Sequence, residues 1–553
     1  MFSSLHREEI KTNMLENLDL LVIGGGITGA GIALDAATRG MKVAVLEMQD
    51  FSAGTSSRST KLIHGGLRYL KQFEIGVVTE TGRERAIVYE NGPHVTTPEW
   101  MMLPFYKGGT FGPFTTNIGL RVYDTLAGVE KDERRKMFKP EEALRREPLL
   151  NATGLKGAGY YVEYKTDDAR LTIEVMKKAV EKGAHALNYM KITNLIYENN
   201  KVIGVEAEDQ IDGTTQKYYA KKVVNAAGPW VDTLRELDNS KKGKHLRLTK
   251  GIHLVFDGER FPLKQAIYFD TPDGRMVFAI PREGKTYVGT TDTVYEGDIA
   301  NPKMTIADRD YVLKAIDYMF PQVGIKPEDV ESSWAGLRPL IHEEGKDPSE
   351  VSRKDEIFVS DSGFISIAGG KLTGYRKMAE SIVDLVGKQL AEEEGRTFPS
   401  TQTKELRISG GSVGGSAGFP DFIKEKVELG LKIGLKEEVT KKLVQRYGSN
   451  IEILYDIYQR ESQAQDETID PVVLTMLRYA IDYESTYKPT DFFIRRTGAL
   501  FFNISWVHEH KNEVVQYMAK ALDWTNEQKL EYEKELEQAL HDATHPLEQD
   551  HDN

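Results

Sequence analysis

Glycines at positions 24, 26 and 29 form Gly-x-Gly-x-x-Gly, a spacing that strips side chains from a turn so that backbone N–H groups approach a pyrophosphate. Glu47 follows about twenty residues on, where a carboxylate takes ribose hydroxyls. Gly24, Gly25, Gly26, Ile27, Thr28, Gly29 and Glu47 are therefore the candidate dinucleotide-binding set. Taken alone, the glycine spacing also suits a turn that only packs a helix on a sheet. NAD and FAD share this fingerprint, so three further segments bear on the choice. Gly54–Tyr69 gathers hydroxyls, cations and glycines into one stretch suited to coating a phosphate chain and an isoalloxazine. Its candidates are Thr55, Ser56, Arg58, Ser59, Lys61, His64, Gly65 and Gly66. Asn225–Trp230 ends an apolar run with small residues, Ala226 and Gly228 among them, as backbone passing close to a cofactor requires; an ordinary tight turn fits equally. Ala368–Gly374 follows apolar Phe364–Ile367 and precedes a helical stretch, which places the N–H groups of Gly370, Lys371, Leu372 and Thr373 to face an anionic ring edge.

The elements that must hold these residues are legible from periodicity. Leu18–Ile23 is expected as a buried strand, Thr28–Arg39 as a helix with a small-residue packing face, and Lys42–Leu46 as a second strand. Ile192–Tyr197 and Val202–Glu206 flank Asn199-Asn200, and Val223-Val224 runs into the Asn225 turn, a meander returning to the same sheet. Pro98–Leu126 is rich in Trp, Met, Phe and Tyr, and Leu246–Thr293 alternates apolar and polar residues in short strands. Both are expected in a second, substrate-covering layer. Ser409–Gly418 is expected as a loop or linker, and the chain beyond it as helical. Pro471–Tyr483 and Asn526–Leu540 carry apolar residues at helical spacing, and Thr525 with Gln528 forms a capping box. Asp167-Asp168 is expected to cap a helix rather than act as a catalytic carboxylate pair.

A chain of 553 residues predicts three or four domains at roughly 100–200 residues each. With 40% hydrophobic and 28% charged residues it has the balance of a globular protein with a sizeable core. The net charge of −13 disfavours bulk attraction to nucleic acid or anionic lipid, so any anion site is local. Cysteine is absent, which excludes disulfides, thiolate metal sites and cysteinyl-linked cofactors and fits a reducing compartment. No His or carboxylate cluster has metal-ligand spacing. The N-terminal residues lack a secretory h-region, and no run of 18 apolar residues occurs. A membrane, if met, is met at its surface.

The four cofactor segments together resemble the FAD-dependent glycerol-3-phosphate dehydrogenase family, within the amino-acid-oxidase-like flavoproteins. The resemblance runs from about Asp19 to about Lys388, with the helical tail. It rests on Lys61-Leu62-Ile63-His64-Gly65-Gly66-Leu67-Arg68-Tyr69-Leu70, on Trp334-Ala335-Gly336-Leu337-Arg338-Pro339-Leu340, and on Gly369-Gly370-Lys371-Leu372-Thr373-Gly374-Tyr375-Arg376-Lys377-Met378-Ala379. Where the family has two consecutive Thr, this chain has Thr373-Gly374, which weakens any role for the second hydroxyl. The resemblance implies an α/β fold with a dinucleotide-binding FAD domain, an antiparallel-sheet substrate cap and a C-terminal all-helical domain. The expected oxidoreductase domain spans residues 1–395, its FAD-binding parts about 17–95, 155–245 and 330–395 and its cap about 96–154 and 246–329, with the helical domain over 396–553.

The same resemblance implies that Arg68, Tyr69, His253, Arg338, Arg353 and Lys371 surround sn-glycerol 3-phosphate. A phosphate monoester favours Arg forks and Lys point charges, although each of these cations taken singly also suits a solvated or ion-paired surface residue. His253, Arg338 and Lys371 are the expected catalytic residues. His253 is expected as the base for the C2 hydroxyl proton, a role that Arg338 or water shares. Lys371 is expected to stabilise charge on the reduced flavin. The implied cofactor is non-covalent FAD, His64 notwithstanding. The implied acceptor is a respiratory quinone, met at the inner face of the cytoplasmic membrane; a homodimer is compatible with the sequence. The competing readings are a glycerol-phosphate oxidase reducing dioxygen to peroxide, an amine or amino-acid oxidase, and a flavin-binding regulator without catalysis.

Overall fold

The computed structural model describes residues 2–63, 75–109, 112, 120, 134–346, 351–352, 354–464 and 469–548. The chain enters through β1 (Leu18–Ile23), crosses by helix Ile27–Thr38 to β2 (Val43–Leu46), and reaches β3 (Leu62–Ile63). Helix Ile75–Asn91 leads to β4 (Thr96–Tyr106), β5 (Lys136–Phe138) and β6 (Leu155–Thr166). Helix Asp168–Glu181 then returns the chain to β7 (His185–Leu187), β8 (Met190–Glu198), β9 (Lys201–Asp209) and β10 (Thr215–Asn225). The long β11 (Lys244–Asp257) opens a run through β12 (Ala266–Asp270), β13 (Met276–Arg282), β14 (Lys285–Gly289) and β15 (Thr293–Val294). After helix Ile306–Met319 come β16 (Val330–Glu343), β17 (Val351–Ser352), β18 (Glu356–Val359), β19 (Ile365–Ala368) and helix Tyr375–Glu394.

These strands form two sheets. The first has a parallel core in the order β19-β10-β1-β2-β7, edged by antiparallel β18. All six residues of β1 are buried, as a strand covered on both faces requires. β10 belongs to two ladders: its first half pairs antiparallel with β9, and its second half runs parallel to β1, the meander expected from the Asn199-Asn200 turn. The second sheet runs β17-β16-β11-β14-β13-β12-β4-β6-β3, antiparallel except where β12 meets β4. One of its faces, carrying Ile252, Leu254, Val288 and Phe269, packs against helix Ile306–Met319. The other face is turned to the candidate site. Trp100 of β4 stacks on Tyr160 at 4.7 Å and Met101, Met102 and Leu103 are buried, so the described part of the aromatic Pro98–Leu126 stretch is cap core.

Beyond residue 414 the described residues are mainly helical as far as Thr544, with Pro471–Tyr483 as expected and the Thr525/Gln528 capping box formed at the head of Asn526–Thr544. Ser409–Gly418 is a loop as expected only to Gly414. Helix Gly415–Lys432 begins inside it, and a Cβ on Gly411 would lie 2.3 Å from the Asn91 carbonyl oxygen. Its glycines permit close backbone packing against the residue 91–94 turn, and flexibility is not their use.

Candidate active site

The turn between β1 and helix Ile27–Thr38 is built by exclusion of side chains. Gly24 has φ +112° and a Cβ there would sit 2.6 Å from the Ala226 carbonyl oxygen; one on Gly29 would sit 1.9 Å from that of Gly24. Ser56 Oγ accepts a hydrogen bond from the Ile27 N–H at 3.0 Å, capping the helix that Gly26, with no side chain, leaves open. Glu47 Oε2 accepts from the Gly25 N–H at 2.6 Å and Oε1 from the Gln49 N–H at 2.8 Å. Burial raises the Glu47 carboxyl above the usual carboxylate range against these two hydrogen bonds. A cavity of about 620 Å³ opens here, bordered by Gly24, Gly26, Thr28, Glu47, Ser56 and Gly228.

The loop after β2 is set by a carboxylate that the sequence assigned only to capping. Asp167 does cap helix Asp168–Glu181, accepting from the Arg170 N–H. Asp168, fully buried, accepts from the Ser59 N–H at 3.0 Å, from the Ser59 hydroxyl at 2.6 Å and from Lys61 Nζ at 2.6 Å. Lys61 Nζ donates to Asp168 and to the Ser57 carbonyl, and the residue borders neither of the two cavities described here. Thr55 Oγ1 ties the same loop to the Leu337 carbonyl of β16 at 2.8 Å. Arg58 makes no carboxylate ion pair among the described residues, and burial together with the nearby Arg495 cation pulls its pKa down to about 10. Its Nη1 donates to the Ala300 carbonyl at 3.2 Å, and a half-buried guanidinium of this kind, without a carboxylate partner, fits an anionic ligand.

A second cavity, of about 700 Å³, lies over the open face of the second sheet and shares Thr55, Ser59, Pro339, Gly369, Gly370 and Lys371 with the first. Residues paired directly across strands share a face, and one row of such pairs runs beneath this cavity, with His253, Phe278 and Tyr268 bordering it. It runs from Trp334 of β16 through His253 of β11, Gly289 of β14 and Phe278 of β13 to Tyr268 of β12. Glycines keep its centre low. A Cβ on Gly289 would lie 2.2 Å from the His253 ring, and one on Gly251 would lie within contact distance of Arg338 and Thr290.

His253 stacks on Trp334 at 4.7 Å and 12°, with Nε2 3.0 Å from Oγ1 of Thr60 and Nδ1 buried without a partner. Burial, then the Arg338 and Lys61 cations, push its pKa well below the ordinary histidine value. It is thus neutral at pH 7 and able to accept a proton. Arg338 donates from Nη2 to Thr290 Oγ1 at 2.8 Å, and from Nη1 to Asp292 Oδ1 and the Thr291 carbonyl at 3.2 Å each. These bonds aim its fork along the cavity wall.

The fold therefore brings His253, Arg338 and Lys371 to one cavity and joins it to the glycine turn through the Gly369–Thr373 segment. Ala226 and Gly228 end β10 beside that turn, and Leu372 lies where the two cavities meet. Gly65, Gly66, His64, Arg68, Tyr69 and Arg353 lie outside the described residues. Sequence reading missed Thr60, Gly251, Gly289, Thr290, Thr291 and Gly336. Thr60 and Gly336 lie inside segments already singled out in the sequence, whereas Gly251 and Gly289 are brought in by cross-strand register and Thr290 and Thr291 by the loop after β14. Glu8, Asp209 and Asp212 also converge, at the surface, but Lys11 and Arg7 are already paired with them.

The glycine cradle, the helix N-terminus beside it and the Glu47 carboxylate fit a flavin dinucleotide. Comparison with known proteins agrees. Residues 19–376 match the family model of the FAD dependent oxidoreductases, and residues 401–529 that of the C-terminal domain of alpha-glycerophosphate oxidase. The chain is 62% identical over 550 residues to the aerobic glycerol-3-phosphate dehydrogenase of Bacillus subtilis and 59% identical over 550 residues to that of Staphylococcus haemolyticus, covering 99% of each chain in both cases. The crystal structure of the Bacillus halodurans glycerol-3-phosphate dehydrogenase complexed with FAD superposes with a TM-score of 0.87 at 51% identity, over 99% of this chain and 100% of that one.

Proposed function

We propose a function from one established premise: the chain belongs to the FAD-dependent oxidoreductase family. It oxidises sn-glycerol 3-phosphate to dihydroxyacetone phosphate with non-covalent FAD as cofactor, and a respiratory quinone takes the electrons. The observation that carries this reading is the cavity holding a neutral His253 and the Arg338 fork, joined through Lys371 to a glycine-lined nucleotide cleft.

Bound FAD supplies the two-electron acceptor for the C2 hydride. The chain's own residues do the rest. Gly24, Gly26 and Gly29 let backbone N–H groups reach the pyrophosphate, and Glu47 takes the ribose hydroxyls. His253 receives the C2 hydroxyl proton. Arg338 and Arg353 are the phosphate and hydroxyl clamps, because a dianion rewards bidentate guanidinium contact, and Arg68 is assigned near the flavin; Arg353 and Arg68 are carried by the family resemblance alone. Tyr69 is assigned to substrate binding on the family resemblance alone. Lys371 places a positive charge at the junction of the two cavities, where charge accumulates on reduction. Residues 1–395 carry this chemistry in the proposal, and 396–553 pack as a helical unit beside it.

No helix among the described residues is long and apolar enough to cross a membrane, which suits peripheral contact with a membrane-borne quinone. Adding sn-glycerol 3-phosphate to the anaerobic yellow protein tests the reading. The flavin absorbance bleaches and returns far faster with quinone than with air. Fast recovery in air with peroxide identifies an oxidase instead, and no bleaching removes the substrate assignment. Flotation with liposomes tests the membrane contact.

A further inference from the structure

His253 stacks on Trp334, but stacking fixes only the plane of an imidazole ring. Turning the ring over about its Cβ–Cγ bond exchanges nitrogen for carbon at both edges and keeps the stack, so a hydrogen bond must choose the edge and the tautomer. Among the described residues the hydrogen bond made to this ring is that of Thr60 Oγ1, 3.0 Å from Nε2. What holds Thr60 therefore holds the base.

Thr60 is the middle of a three-residue segment in which every carbonyl is taken. The Ser59 carbonyl accepts from Trp334 Nε1 at 3.1 Å, that of Thr60 from the Tyr287 hydroxyl at 3.0 Å, and that of Lys61 from the Thr166 N–H at 2.9 Å. Trp334 and Tyr287 are themselves rings beside His253, at 4.7 and 6.3 Å between centres. Lys61 has φ +60°, a conformation that a non-glycine residue keeps only where its surroundings over-determine it. Asp168 does so. Its Oδ2 accepts from the Ser59 N–H and hydroxyl and its Oδ1 from Lys61 Nζ, so one buried carboxylate grips the segment on both sides of Thr60. It also cancels a cation that lies 5.3 Å from the centre of the Trp334 ring. Helix capping does not account for Asp168, because Asp167 already caps that helix.

We propose that Asp168 is the positioning residue of the proton-accepting histidine: through Ser59 and Lys61 it holds the Thr60 hydroxyl against His253 Nε2, fixing which edge of the ring faces the substrate and which of its nitrogens carries the proton. This rests on the dehydrogenase reading above, and one arm of the test needs no substrate. Among the described residues the charges that act on His253 are Lys61, paired with Asp168, and Arg338, paired with Asp292, while Thr60 and Tyr287 meet it uncharged.

The test uses full-length holoenzyme, with rates counted per bound flavin. In Thr60→Val, anaerobic flavin reduction at saturating sn-glycerol 3-phosphate is expected to slow at least about tenfold while the half-saturating concentration changes less than about twofold. Thr60→Ser, which returns the hydroxyl, recovers most of the rate, and Asp168→Asn shows the same split as Thr60→Val. Lys61→Met removes a cation that disfavours the imidazolium, so the acid limb of the reduction rate moves to higher pH; Asp168→Asn leaves that cation uncancelled and moves the limb lower. The arm without substrate is nitrogen NMR of holoenzyme carrying isotope-labelled histidine, the His253 signals being assigned by their loss in His253→Gln. One tautomer is expected in the parent and a mixture of two in Thr60→Val and Asp168→Asn. An unchanged rate and tautomer in these two variants overturn the proposal. So does a lower Tm or flavin content in Asp168→Asn with the rate per flavin and the acid limb unchanged, which would leave Asp168 a folding residue only. If Asp168→Asn does not fold, Thr60→Val and Lys61→Met decide by the same readings. A parent protein that sn-glycerol 3-phosphate does not bleach defeats the substrate reading alone, since the tautomer measurement stands without it.

Discussion

Two predictions belong to single side chains. Arg338 is aimed along the cavity wall by Thr290, Thr291 and Asp292, and a charge-assisted contact from it to the substrate contributes about 1.5–3 kcal/mol. Arg338→Met is therefore expected to lower kcat/KM for sn-glycerol 3-phosphate roughly 10- to 150-fold, measured by steady-state dye reduction, with FAD content unchanged. His253 is depressed below the ordinary histidine pKa by burial and by two cations, so its base form survives into acid. The acid limb of kcat/KM, which reports protonation of the free enzyme's base, is expected below pH 6.5. In His253→Gln that limb disappears together with most of kcat. A limb that stays in place in the variant would assign it to another group.

At the scale of an element, the β1-to-helix turn is the most constrained feature. Gly24 combines φ +112° with a neighbouring carbonyl at 2.6 Å from any Cβ, so Gly24→Ala faces backbone strain of about 1–3 kcal/mol plus a clash that only moving β10 relieves. The expected outcome is a pale protein with a low ratio of flavin to protein absorbance and a reduced Tm that added FAD restores only in part. Gly40→Ala, at the end of the same helix, meets nothing within 4 Å and should keep its FAD. It has positive φ as well, so the pair separates cofactor contact from backbone strain.

At the scale of the molecule, buried ions join the helical tail to the nucleotide cleft. Asp50, three residues beyond Glu47, accepts from Arg495 Nε at 2.5 Å and from Arg496 Nη1 and Nη2 at 2.7 and 2.8 Å, with Asp50 and Arg496 fully buried. Burial works to raise the Asp50 carboxyl, but the Arg496 and Arg495 guanidiniums outweigh it and hold it below the usual range. Removing one partner of a buried pair costs about 3–5 kcal/mol. Arg496→Met is expected to lose most of that in denaturant unfolding and to weaken FAD binding, because the Glu47–Asp50 segment loses its anchor. His94, packed where Gly410 and Gly448 cross it, is held by burial and by Arg170 and Lys177 at a pKa of about 3. Its folded pKa lies below the unfolded 6.5, so the unfolded chain takes the proton first and stability falls as pH drops below 6.5. Between pH 6.5 and 5 that amounts to about 2 kcal/mol, and His94→Gln should flatten this part of the Tm profile.

The sequence by itself determined what short-range rules govern. The strand and helix around Gly24–Gly29, the Glu47 carboxylate at strand end, the Asn199-Asn200 meander and the Thr525 capping box all involve residues within a few turns of one another, where excluded volume and local hydrogen bonding leave one outcome. Long strings shared with a family carried the rest of that reading, including the cofactor and the substrate. Tertiary structure alone decided the site's composition at long range. Lys61 went to Asp168, more than a hundred residues away, because an ammonium out of water takes the nearest buried carboxylate. The Ser409–Gly418 glycines became packing positions for the same kind of reason, since what a glycine admits depends on the chain that crosses it. Trp334, His253, Gly289, Phe278 and Tyr268 lie on five separate strands. Strand register alone put a proton acceptor and an aromatic stack on one face, with a glycine between them.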